Sequence, residues 1–320
     1  MRLLSTLALV LMAGTASAET ITLYTSQSPE IAQQTVDAFQ AKYPDIKVEW
    51  TRNGTSQLMN VLRAEIAAGE VKPDLLLVAD TINLGQLKAE GRLMPYPEAR
   101  VDGYDASTFD KDKMFFGTKI ISTGIAYNTQ IAKPVATWNE LLVEDNKGQI
   151  AVPSPLYSGA ALNHLHSVIY VDSIGWDFYK KLAELDVAPE GGNGPALKAV
   201  ASGLSKYGII ADADVIRAKA NGSPVDLIFP TDGVSFITEP VAIMSTAKQP
   251  EAAKRFVDFL LSKEGQELVA KQGNLPIDAF VTPPAGFPKL SDIKLLPMDA
   301  DKAVKNDKAV REQFTEVFGG

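Results

Sequence analysis

Two short segments carry residue types suited to holding an anion. Ser154-Pro155-Leu156-Tyr157-Ser158-Gly159-Ala160-Ala161 follows a strand-like run, Gln149 to Val152, and opens a helical pattern. At a helix start the first N–H groups lack an intrahelical acceptor, and the helix dipole favours negative charge. Ser158 adds a hydroxyl donor. Gly159 and Ala160 keep side-chain bulk away from their own N–H groups, and Tyr157 is placed to form a wall. Thr25-Ser26-Gln27-Ser28 sits at an earlier strand-to-helix junction, which makes Ser26 and Gln27 a second donor group. Asn193, in Gly191-Gly192-Asn193-Gly194-Pro195, opens a further helix. Each of these also reads as ordinary punctuation: a serine N-cap, or a turn asparagine that tolerates positive φ. Carboxylates stand at the ends of apolar runs as well: Asp80 after DLLLVA, and Asp212 and Asp214 after YGII. They too read as helix caps. Taken together, donors and carboxylates at strand ends suit a zwitterion or a hydroxylated phosphate ester.

Much other chemistry is excluded. The chain has no cysteine, so disulfides, thiolate metal sites, Fe–S clusters and cysteine nucleophiles are out. No G-x-S-x-G, P-loop, H-E-x-x-H or strand-following G-x-G-x-x-G occurs, so neither an enzyme nor a nucleotide cofactor is expected. The two histidines, His164 and His166, point roughly 200° apart on a helix and cannot share a metal; packed or surface roles are expected for them. There are 39 acidic residues, but no spacing singles out a catalytic pair. A net charge of −8 argues against nucleic acid and anionic membranes as partners.

The elements that must position these residues alternate strand and helix. ITLY (21–24), KVEW (47–50) and DLLLVA (74–79) read as strands, with helical spacing over 31–43 and 56–68 between them. The middle of the chain repeats the pattern, which is the α/β signature. In such sheets the loops at strand carboxyl ends form the ligand crevice. Segment 236–243, with Pro240 inside it, reads as irregular extended chain. At 46% hydrophobic and 22% charged residues the chain is ordinary globular protein, and 320 residues suggest two domains. Residues 1–18 have the form of a cleaved signal peptide: Arg2, an apolar run from Leu3 to Met12, and Ala16-Ser17-Ala18. That run is too short to span a ~30 Å hydrocarbon core. An exported protein is expected, in the periplasm of a Gram-negative cell.

With these segments in order, residues 19–290 resemble the extracellular solute-binding proteins of ABC importers, most of all the ferric-ion-binding branch. ITLYTSQ, AFQAKYPDIKVEW, KPDLLLVAD, GIAYN, TWNELL, VPSPLYSGAA, GNGPALKAV, EPVAIM and PEAAKRFVDFLLSKEGQELVAKQGNLPI carry the resemblance. It implies an α/β, two-lobed periplasmic binding protein fold of type II, with a hinge and an interlobe cleft. It divides the mature chain into 19–120 plus 237–290 and 121–236 plus 291–320, and implies a monomer that delivers its ligand to an inner-membrane permease. The iron-ligating tyrosine pair of that branch falls on Ala213 and Asp214, its histidine near Gln27 and Ser28, and its acidic ligand on Ala79, beside Asp80. The segment that holds the accompanying phosphate falls on Ser158, Gly159, Ala160 and Asn193. The resemblance thus implies an anion site without its metal. The expected ligand is a small phosphonate or phosphate ester, 2-aminoethylphosphonate or a sugar phosphate, bound without metal or cofactor. Ferric iron with a companion anion is the alternative, and a periplasmic phosphate-ester enzyme the next. No arginine stands out as a site residue.

Overall fold

The computed structural model describes residues 19–288 and 292–319; the expected export segment, 1–18, lies outside them. The chain first lays down β1 (Glu19–Thr25), α1 (Pro29–Lys42), β2 (Ile46–Arg52), α2 (Thr55–Ala68), β3 (Leu75–Leu77), α3 (Thr81–Ala89) and β4 (Phe115–Gly117). It then crosses to a second sheet with β5 (Lys119–Asn128), β6 (Ile150–Ala151), α4 (Gly159–Val168), α5 (Gly175–Glu184), α6 (Asn193–Ala201), β7 (Tyr207–Ala211), α7 (Asp212–Ala220), β8 (Val225–Ile228) and β9 (Ser235–Ile237). It returns through β10 (Pro240–Ile243), α8 (Pro250–Leu261), α9 (Lys263–Lys271), β11 (Leu275–Pro276) and α10 (Ala300–Phe318).

The first sheet has the order β2-β1-β3-β10-β4, with β1 parallel to β2 and β3, and β10 antiparallel between β3 and β4. Its apolar runs are continuous because both faces are covered. Leu23, Leu75 and Leu77 point into one core with Phe39 and Phe256, while Tyr24 and Leu76 point into the other with Leu58 and Leu62. The second sheet is built on the long β5, which pairs antiparallel with β7, β8, β9 and β11. The same alternation holds there: Ile125 and Ile209 face Trp138 and Phe178, and Ala126 and Ile210 face Ala196 and Val215. Each fully buried Leu, Ile or Phe contributes ~1.5–3 kcal/mol. Trp138 is wholly buried, and its indole N–H donates to the Gly233 carbonyl at 2.7 Å.

Segment 236–243, expected as one irregular stretch, is two strands in different sheets. Thr238 and Glu239 make the crossing between β9 and β10. They lie beside the outward crossing: the N–H groups of Thr118 and Lys119 both donate to the Thr238 carbonyl, at 2.8 and 3.2 Å. The Thr118 hydroxyl donates to the Glu239 carbonyl at 2.8 Å. Glu239 has a φ of 38°, a left-handed conformation that costs a non-glycine residue free energy.

The C-terminal helix, expected with the second lobe, touches both. α10 packs on α3 of the first lobe as well as α5 of the second, and Ile82, Leu162 and Ala303 close a small core between them. Arg311 donates to Ser56 Oγ in the first lobe and to the Pro155 carbonyl in the second, each at 3.3 Å. Asp307 accepts from Arg311 and Gln86 and lies 3.2 Å from His166 Nε2. Both histidines are packed inside: His164 Nδ1 meets Ser235 Oγ at 3.0 Å, and burial pushes its pKa down to about 3. No helix among the described residues is long and apolar enough to cross a membrane.

Candidate functional site

A cavity of about 780 Å³ opens between the lobes, within the ~300–1,000 Å³ usual for small-molecule sites. Five helices, α1, α2, α4, α6 and α7, begin on its wall; α1, α2, α4 and α7 do so because each follows a strand whose carboxyl end points there, while α6 follows α5. Ser28 caps α1 by accepting from the Ile31 N–H. Ser158 caps α4 in the same way, accepting from the Ala161 N–H at 3.3 Å and keeping its own hydroxyl hydrogen to donate. Gly54 and Gly192, at the starts of α2 and α6, have no side chain to cap with. The Ser56 N–H of α2 donates to the Tyr157 carbonyl at 3.2 Å and the Ala213 N–H of α7 to Asp212 at 2.7 Å; the first-turn N–H groups left without a partner present partial positive charge to the cavity.

The donors expected from sequence lie on this wall: Ser26, Gln27, Ser158, Gly159, Ala160 and Asn193 line the cavity with Tyr157. Ser26 Oγ accepts from the Ala79 N–H at 3.0 Å. Asn193 Oδ1 accepts from the Ala211 N–H at 3.0 Å, which fixes the amide so that its NH₂ is the end left to donate. Tyr157 packs across the lobe boundary: a Cβ on Gly54 would lie 2.6 Å from its ring, and one on Gly192 3.2 Å. Gly159 is small for a reason beyond ligand access. A Cβ there would lie 2.3 Å from the carbonyl oxygen of Ala79, in the opposite lobe.

The carboxylates divide. Asp214 lines the cavity and pairs with Arg217. Asp80 and Asp212, expected as ligand contacts, are not on the wall. Asp80 is 1% exposed and caps α3, its carboxylate taking the N–H groups of Ile82 and Asn83 at 2.8 and 2.9 Å and the Asn83 amide. Asp212, equally buried, turns back onto β5 and takes the Ser122 N–H and hydroxyl at 3.0 and 2.5 Å. Burial pushes its pKa up to about 6, against the pull of those bonds. A short side chain at a helix start meets its own backbone before it reaches the cleft. Asp80→Ala is therefore expected to lower stability by ~1–2 kcal/mol, as loss of a cap does, in urea unfolding, while ligand affinity stays within about twofold.

Three cations that sequence reading missed also line the cavity: Arg52, Lys119 and Arg217. Arg52 ends β2, and its Nε–H donates to the Gln27 carbonyl at 2.9 Å. Its remaining guanidinium donors form no ion pair among the described residues. Lys119 starts β5 and lies 2.7 Å from Glu239, both only 4% exposed. Arg217 donates to the Gln272 carbonyl at 3.1 Å in addition to pairing with Asp214. Arg52 had a readable signal, since it stands at the carboxyl end of a strand. The other two reach the cleft through the crossing and through one turn of α7. Among the described residues, no three His, Asp or Glu side chains cluster as metal ligands.

The family model described as bacterial extracellular solute-binding protein matches residues 25–267. A probable ABC transporter periplasmic-binding protein of Sinorhizobium fredii, y4fP, is 28% identical over 82% of this chain and 75% of its own length. The structure of the periplasmic binding protein AfuA from Actinobacillus pleuropneumoniae, with exogenous fructose-6-phosphate bound, is similar with a TM-score of 0.85 at 24% identity, covering 94% of this chain and 99% of that one. The ferric binding protein from Campylobacter jejuni is similar with a TM-score of 0.77 at 23% identity, covering 93% and 99%. At these identities the two structures speak for the fold. Two lobes of α/β sandwich, a double crossing between them and a cleft ringed by helix starts agree with the family match: the chain belongs to the bacterial extracellular solute-binding proteins, as a substrate-binding component of an ABC transporter with the two-lobed type II fold.

Proposed function

We propose that this protein binds a small phosphorylated compound, a sugar phosphate or a phosphonate such as 2-aminoethylphosphonate, and hands it to an ABC permease in the inner membrane. The observation that carries this reading is the convergence of five helix starts on one cavity together with the Arg52 guanidinium, which has no ion-pair partner among the described residues. A tetrahedral oxyanion has the oxygens to take many such donors at once. Ser158, Gly159, Ala160 and Asn193 take the phosphoryl oxygens from the second lobe, and Ser26 and Arg52 close on them from the first. Closure removes water and strengthens each charge-assisted bond.

Ferric iron is the second reading, favoured by the ferric-binding protein among the structural relatives. The donor set suits it less. Iron of this hardness wants anionic oxygen or phenolate, yet both cavity carboxylates, Asp214 and Glu239, are already ion-paired, and Tyr157 is the phenol on the wall.

Calorimetric titration with glucose 6-phosphate, 2-aminoethylphosphonate, inorganic phosphate and Fe(III) separates these readings. A phosphorylated compound is expected to bind, and Ser158→Ala with Asn193→Ala to weaken it at least about tenfold, since hydrogen bonds to charged groups contribute ~1.5–3 kcal/mol each. Unchanged affinity in the double variant would remove these residues from the site. A red ferric–tyrosinate absorption would establish iron instead.

A further inference from the structure

α10 is built into one lobe and reaches over to the other. Val310 and Phe314 sit in the second lobe's core, where the Phe314 ring meets Tyr179 edge-on with centroids 5.9 Å apart. Along the lobe boundary α10 presents a single stripe, Ala303, Asp307 and Arg311, spaced four residues apart and so on successive turns of one face. Each member touches both lobes. Ala303 packs with Ile82 of α3 and Leu162 of α4. Asp307 accepts from Gln86 of α3 at 3.2 Å and lies 3.2 Å from His166 Nε2 of α4. Arg311 Nη1 donates to Ser56 Oγ of α2 and to the Pro155 carbonyl ahead of α4, each at 3.3 Å. α3 also carries Gly85 in its middle, where glycine costs helix stability; a Cβ there would stand 2.7 Å from a Val304 methyl.

The two attachments differ in kind. On the second lobe α10 is held by buried aromatic and aliphatic side chains. On the first it is held by the Gln86 and Ser56 hydrogen bonds, both at the long end of the usual range, and by the contacts at Ile82 and Gly85. We infer that α10 is a clasp on the cleft, with Arg311 as its positioning residue. When the lobes separate at the hinge, α10 stays with the second lobe, and its contacts to the first are the ones that break. Arg311 acts beside the cavity: Ser56 follows Thr55, and Pro155 lies two residues before Tyr157, both on the cavity lining. The Ser56 N–H itself crosses between the lobes to the Tyr157 carbonyl at 3.2 Å. A guanidinium suits this place because its Nε–H holds Asp307 at 3.0 Å while Nη1 reaches both lobes. The clasp sets how often the cleft opens, and so how fast a ligand of any chemistry can leave; it does not depend on the phosphate reading. α10 lies beyond residues 25–267, the stretch that the family model matches.

Native-state hydrogen exchange on the ligand-free chain tests this. The Ser56 amide exchanges when the clasp opens, whereas the hydrogen-bonded amides of β1 and β7 exchange only when a lobe unfolds. In Arg311→Met the Ser56 amide is expected to exchange faster, by a factor at least about tenfold greater than any acceleration in β1 and β7. Equal acceleration at all three places would show that Arg311 supports the fold in general, and an unchanged Ser56 rate would show that the lobes open without releasing α10; either result overturns the clasp. Arg311→Lys keeps a positive charge against Asp307, but its single ammonium cannot also stand between Ser56 and Pro155. It is expected to show the same excess at Ser56 with a smaller change in the strands. A wild-type Ser56 rate in Arg311→Lys would assign the effect to charge alone and overturn the clasp as well. This second variant decides the matter where Arg311→Met does not fold.

Discussion

Gly159→Ala is expected to cost at least about tenfold in ligand affinity while leaving the ligand-free melting temperature nearly unchanged. The added carbon would stand 2.3 Å from the Ala79 carbonyl oxygen and 2.9 Å from Thr55 Oγ1. Ala79 and Thr55 belong to the first lobe, and Gly159 starts α4 in the second. A backbone carbonyl held at the end of a sheet cannot yield as a side-chain tip can. Overpacking of this kind costs ~1–3 kcal/mol, and each 1.4 kcal/mol is a factor of ten in affinity. Because two lobes joined at a hinge can separate as bodies, the clash is relieved by opening. The penalty therefore falls on the arrangement in which the lobes meet across the ligand, and little of it on folding. Calorimetry on the variant, beside a thermal melt without ligand, reads the two quantities separately. A loss of stability with affinity intact would show that Gly159 matters to α4 alone.

Lys119→Met is expected to destabilise the fold by ~3–5 kcal/mol, the cost of leaving one buried charge of a pair without its partner. Lys119 and Glu239 are the first residue beyond one crossing and the last residue before the other strand resumes, and both are buried. Removing the ammonium strands the Glu239 carboxylate in a site whose remaining donor, the Gln27 amide, bears no charge. Adding Glu239→Gln should restore much of the loss, since the stranded charge is then gone. Urea unfolding of the single and double variants measures this; equal midpoints for wild type and Lys119→Met would show that water reaches the pair.

Much of the donor wall was legible in the chain. Ser158, Gly159 and Ala160 follow a strand and open a helix, and a helix start that follows a strand has one side on which to place its free N–H groups. The anchoring carboxylates were harder. Asp80, Asp212 and Asp214 all follow apolar runs, and nothing local tells a cap from a ligand contact. What separates them is where the acceptors and donors of other elements fall: the Asn83 amide takes Asp80, Ser122 takes Asp212, and Arg217 holds Asp214 at the cavity edge. Arg52, Lys119 and Arg217 come from three separate stretches of the chain and meet only when the sheets are in place.

The sequence by itself determined the alternation of strand and helix and the helix starts that meet at the cleft. These follow from apolar periodicity and from capping residues, which act over a few neighbours along the chain. Only the tertiary structure decided which side chains share the cavity, that segment 236–243 changes sheets at Glu239, and that α10 straddles both lobes. Those outcomes depend on contacts between residues a hundred or more positions apart, such as Gln27 with Glu239, where a single hydrogen bond or ion pair selects among placements that local spacing leaves equal.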